Sequence, residues 1–61
     1  MKVCYIVEST GNEAPEYQWM VVRYPSRDGV QPVAESQGEA VAWYHQKSAA
    51  EKKRLALVFL R

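Results

Sequence analysis

Apolar positions along the chain fall into stretches divided by polar and turn-forming residues. Val3-Cys4-Tyr5-Ile6-Val7 is rich in β-branched and aromatic side chains and stops at Ser9-Thr10-Gly11-Asn12, a loop-forming cluster that runs on to Pro15. It predicts a first strand. Tyr17 to Tyr24 predicts a second, with Trp19 and Val21 on one face and Met20, Val22 and Tyr24 on the other. Because both faces are largely apolar, this strand is expected at the centre of a sheet. Pro25-Ser26-Arg27-Asp28-Gly29 then carries turn chemistry: a fixed φ, a side chain that bonds nearby backbone, and a glycine for the left-handed position. Val30 to Glu35 follows as a third strand. Pro32 lacks an N–H, which confines that strand to an edge or to pairing on one side.

Ser36-Gln37-Gly38-Glu39 has the spacing of a capping box, in which the Ser hydroxyl and the Glu carboxylate each satisfy a free backbone N–H. A helix is therefore expected to start there, with Gly38 in its first turn allowing close approach to the sheet. Glu39 to Arg54 contains no Gly or Pro and is dominated by helix formers. Ala40, Trp43, Tyr44 and Lys47 share a helical face, with Trp43 as the anchor onto the sheet. Ser48-Ala49-Ala50-Glu51 repeats the capping-box spacing, as a helix break or as a coincidence inside one long helix. Leu55 to Leu60 is apolar all round, so periodicity leaves two readings open, helix continuation or a fourth strand. The pattern as a whole predicts an α+β fold: a three-stranded antiparallel meander followed by a C-terminal helix packed on one sheet face.

Sixty-one residues make a single small domain, in a size range that buries only about 60% of its unfolded surface. The apolar share of 48% and charged share of 25% are ordinary for a globular protein. Cys4 is the one cysteine, which leaves no disulfide and no cysteine cluster for zinc. A small core without such staples leans on a partner subunit, so a homodimer is expected. The apolar run after Lys2 ends at Glu8, too short for a signal peptide or a membrane span, and points to a soluble protein in a reducing, cytoplasmic setting.

Charge is unevenly spread. Residues 1–39 carry three basic against six acidic side chains, a net −3, and residues 40–61 carry five against one, a net +4. The basic part holds Lys47, Lys52, Lys53, Arg54 and Arg61, the residue types that neutralise phosphates without reading sequence. The same run around Glu51 also reads as a solvated helix face. Glu13, Glu16 and Asp28 form an acidic surface in the loops, or a mimic of a phosphate backbone.

No nucleophile with a base, metal cluster or phosphate cradle is assembled. Cys4 lies inside an apolar strand, where a thiol is inert, and His45 is placed on the helix rim. An enzyme would need a site built across a dimer, with His45 as its base near neutral pH. No cofactor or metal is expected. The aromatics Tyr5, Tyr17, Trp19, Tyr24, Trp43 and Tyr44 suit a core, or a base-stacking platform on an open sheet face. One helix covers one side of a three-stranded sheet, which leaves an apolar face for another chain.

The first functional reading is therefore a non-enzymatic protein-interaction module, an adaptor, modulator or inhibitor that self-associates through Trp19, Met20, Tyr24, Leu57 and Phe59. The second is a nucleic-acid-binding accessory protein using Lys47, Lys52, Lys53 and Arg54. No family motif is matched; in compactness alone the chain is similar to short accessory proteins of phages and other mobile elements.

Overall fold

Each strand pairs antiparallel with the one before it, so spatial order follows chain order in the computed structural model, which describes residues 2–11 and 17–59. The elements are β1 (Lys2–Ser9), β2 (Trp19–Ser26), β3 (Glu39–Tyr44) and a helix, α1 (Lys47–Phe59), packed on the resulting open sheet. The α+β class, the central position of β2 and the closing helix are as the pattern predicts. Of the two readings for 55–60, the helix holds through Phe59, and Leu60 lies outside the described residues.

Two expectations are overturned. Val30 to Glu35 is not a strand; its one ladder contact is an isolated bridge between Ser26 and Pro32. The Val33 N–H reaches the Pro25 carbonyl of β2 at 2.9 Å, but the groups before it are taken locally. Asp28 Oδ1 accepts from the N–H groups of Val30 at 2.8 Å and Gln31 at 3.0 Å. The fully buried Ser26 hydroxyl donates to the Gln31 carbonyl at 2.6 Å and accepts from the Gly29 N–H at 2.9 Å. Glu35, at φ 61°, bends the chain away from any extended path.

The third strand is Glu39–Tyr44, the stretch read as the start of the helix. Ser36 caps nothing: its hydroxyl donates to the Val33 carbonyl at 2.6 Å, and Glu39 pairs with Arg23 at 2.6 Å. The backbone of Trp19, Met20, Val21, Val22 and Arg23 supplies partners that outweigh the helical preference of Ala40 and Ala42. Trp43 is thus part of the sheet rather than its anchor. A bulge at Val41 shifts the register between Val21 and Val22. The helix starts at Lys47, and its first bond runs from the Ala50 N–H to the Gln46 carbonyl at 3.3 Å. The Ser48–Glu51 spacing therefore falls inside the first turn, where it caps nothing.

Residues opposite one another in the ladder project to the same side. Val3, Tyr5, Val7, Trp19, Val21, Ala42 and Tyr44 share one side, and Lys2, Cys4, Ile6, Glu8, Met20, Val22, Tyr24, Ala40 and Trp43 share the other. The helix lies on the first. Its Lys47 ammonium sits 5.3 Å from the centre of the Trp19 ring, and Val21 and Ala50 are fully buried. A shortest dimension of 12 Å leaves room for two layers only.

Candidate functional site

The uncovered side of the sheet is the main surface that the fold leaves without a layer. Its centre is sealed from within: the Tyr24 ring packs against Val22 and against the backbone of Gly38, where a Cβ would fall 2.4 Å from Val22 Cγ1 and 2.6 Å from Tyr24 Cε1. The Tyr24 hydroxyl donates to the Glu8 carboxylate. That bond, with some desolvation and the Glu8 charge, holds the Tyr24 hydroxyl above the usual phenol range. Cys4 and Val22 are buried around this ring. Beyond it the side opens out. Ile6 and Met20 are partly exposed, and Trp43 is 48% exposed directly opposite Met20. Val41, the extra residue of the bulge, is 37% exposed. The charged groups on this side are Lys2 and Glu8, one of each sign at the two ends of β1.

Candidate residues separate accordingly. Met20 and Tyr24 lie on the open side, whereas Trp19 lies under the helix with Lys47 over its ring. Leu57 is partly buried and falls seven residues after Ala50, on the same helical face. Phe59 is 80% exposed, as is much of Leu55 one turn earlier, on the outer face of the helix. Met20 and Tyr24 are thus brought together, and Leu57 and Phe59 are not.

The basic residues divide in the same way. The Arg54 Nε–H donates to the Tyr5 carbonyl at 2.8 Å, and Lys47 is engaged with Trp19. Lys52 and Lys53 are exposed, and Arg61 lies outside the described residues. The Arg54 contact falls on a sheet edge. The Thr10 N–H bonds the Gln18 carbonyl at 3.1 Å, so alternation along the ladder turns the main-chain groups of Val3, Tyr5 and Val7 outward. Arg54 therefore covers one outward carbonyl of an edge strand, a position open to pairing with another chain.

No catalytic pairing forms between Cys4 and His45. Cys4 is buried near the start of β1, and His45 follows Tyr44, at the other end of the sheet, where its ring stacks on Tyr17 at 5.1 Å between centroids. Among the described residues no three His, Cys, Asp or Glu side chains converge as metal ligands. Of the acidic group, Glu13 and Glu16 lie outside the described residues. Asp28 is held below its ordinary value by the Gln31 and Val30 N–H groups, which commits the carboxylate to its own loop. No helix among the described residues is long and apolar enough to cross a membrane.

The residue that sequence reasoning misplaced is Trp43. Exposure along β3 alternates, with Val41 and Trp43 more open than Ala40, Ala42 and Tyr44, but the bulge at Val41 puts Ala40 on the side of Trp43, and the absence of a breaker before Lys47 concealed the strand. No protein-family model, curated protein or solved structure matches the chain.

Proposed function

We propose that this chain is a non-enzymatic protein-interaction module of the cytoplasm, an adaptor, modulator or inhibitor that works by docking the open side of its sheet onto another protein surface, its own copies included. The observation that carries this reading is Trp43, 48% exposed opposite Met20 at the end of the sheet's helix-free side that the Tyr24 ring does not seal. Trp is enriched among residues that dominate binding energy, and a flat apolar patch on a small monomer is the common form of such a site. A face with one positive and one negative residue has no net charge to draw a polyanion. The test is a pair of variants, Met20→Ser and Trp43→Ser, compared with the parent in partner capture from the source cell and in sedimentation. Both should lose partner and self-association while keeping the parent's circular dichroism. Unchanged capture and unchanged mass would count against the reading.

A second reading, nucleic-acid binding, is favoured by Lys52 and Lys53, which are exposed on the helix and make no ion pair among the described residues. It requires binding to DNA or RNA at low salt that falls steeply as salt is added. Absence of binding at low salt sinks it.

A further inference from the structure

The geometry points to the outer edge of β1 as a second interaction surface, which adds the β1 strand of another copy of this chain and is gated by Arg54. β1 is an eight-residue edge strand with Val3, Cys4, Tyr5, Ile6 and Val7 along it. The main-chain groups of Val3, Tyr5 and Val7 point away from β2. Of these, among the described residues, the Tyr5 carbonyl alone has a partner, the Arg54 Nε–H at 2.8 Å. A long apolar edge with bare donors and acceptors is a template for strand addition, in which main-chain bonds supply the affinity.

The strand matches itself in one antiparallel register. Outward residues must oppose outward residues, so the available registers differ by steps of two. With Tyr5 opposite Tyr5 of the other copy, Val3 opposes Val7, Cys4 opposes Ile6, and Lys2 opposes Glu8. The outward pairs exchange two main-chain bonds each. Lys2 and Glu8 project to the same side of the sheet and fall at the positions between those bonds, where facing side chains come closest. Lys2 is exposed and forms no ion pair among the described residues, and Glu8 is bonded to Tyr24 through a single oxygen. A shift either way sets Lys2 against Ile6 or Thr10 and loses both ion pairs.

The two-fold axis runs through the sheet, so the two sheets become one of six strands with both helices on the same side. Arg54 reaches this seam from α1. Val58, one turn later and partly buried, shares its flank, and Leu55, 48% exposed, lies next to it. The flanks of the two helices face each other above the seam and add apolar contact to the ladder. Every contact is made twice, and the free edges that remain are the β3 strands, where the bulge at Val41 interrupts regular pairing. Assembly therefore stops at two. In this register the Tyr5 carbonyl accepts the Tyr5 N–H of the other copy, and Arg54 competes for the same oxygen. The parent dimer is accordingly weak and concentration-dependent.

The test is sedimentation equilibrium, with circular dichroism to establish that each variant is folded. Arg54→Ala should dimerise about tenfold more tightly than the parent or better, because two carbonyls per dimer are released, and its mass should stop at the dimer. In that background Val3→Pro removes an outward N–H that carries no bond within its own chain, a substitution an edge strand tolerates, and should restore the monomer. Lys2→Glu sets like charges opposite each other twice and should weaken the dimer roughly fivefold at low salt, less as salt is added. Where Arg54→Ala does not fold, Arg54→Lys serves as the background and should lie between the parent and full release.

Trp43 lies on the helix-free side, away from this edge, so Trp43→Ser in the Arg54→Ala background should leave the dimer intact whatever it does to partner capture. A folded Arg54→Ala that stays monomeric at millimolar concentration overturns the edge dimer. Growth beyond two copies overturns the closed geometry, and a dimer that survives Val3→Pro overturns the edge as its site. A dimer dissolved by Trp43→Ser moves self-association to the helix-free side, which overturns the edge and leaves the docking reading standing.

Discussion

Gly38 lies so close to Tyr24 that a β-carbon on it would fall 2.6 Å from ring atom Cε1. The contact fixes how the sheet's open side is sealed, because the ring held against Gly38 is also the one that shields Val22 and bonds Glu8. Gly38→Ala is therefore expected to push the ring out of place and to lower stability by about 1–3 kcal/mol, the range for overpacking. Urea unfolding reads it as a lower midpoint at unchanged slope. A midpoint equal to the parent's would mean that the ring moves freely.

The Tyr24 hydroxyl gives an alkaline signature. Its folded value lies above the phenol's ordinary 10.0 because the protonated form donates to Glu8. The stability from that bond is complete below about pH 10 and is lost as pH rises through the higher folded value. Tyr24→Phe should be less stable than the parent at neutral pH, and the gap should close in alkali. A gap that does not change with pH would show that the bond contributes nothing.

Asp28 titrates with the opposite sign. Its folded value lies below 3.8 because the charged form accepts the Gln31 and Val30 N–H groups. Its contribution is present above the ordinary value and disappears as pH falls through the lower one. Asp28→Ala should speed amide exchange at Val30 and Gln31 at neutral pH. Asp28→Asn, which keeps one acceptor oxygen, should restore part of the protection, and equal exchange in all three proteins would refute the role.

Arg54 guards the outer edge of β1 through the Tyr5 carbonyl. Arg54→Ala is expected to lower stability by roughly 1.5–3 kcal/mol, the range for hydrogen bonds from charged groups. It should also raise light scattering at high concentration, because another outward carbonyl becomes free to pair. Arg54→Lys offers a single point charge in place of the guanidinium and should rescue incompletely. Normal scattering in Arg54→Ala would show that the edge needs no cover.

Two strands and a helix end were legible because local signals and tertiary demands agree there. β-branched runs mark β1 and β2, and the separation of Trp19 and Val21 from Met20, Val22 and Tyr24 follows from strand period alone. The third strand was not legible because its identity is settled by distant residues. Ala40, Val41 and Ala42 tolerate a helix, and pairing with β2 decides otherwise. Val30 to Glu35 failed in the opposite sense, since Asp28 takes the Val30 and Gln31 N–H groups and the Ser26 hydroxyl takes the Gln31 carbonyl before a ladder can use them. Half of the open face could therefore be read in advance, the part on β2. Trp43 could not be placed there until β3 was known, nor could the engagement of Lys47 and Arg54 with the sheet.

Pro25 is tolerated within β2 because it lies beyond the last pair with β3, Arg23 opposite Glu39, and faces Val3 where no bonds are exchanged. The order of elements has a further consequence. The shield over one face of the sheet and the Arg54 guard on the β1 edge both reside on the helix that follows the last strand. Local opening of that one helix therefore bares a face and an edge together.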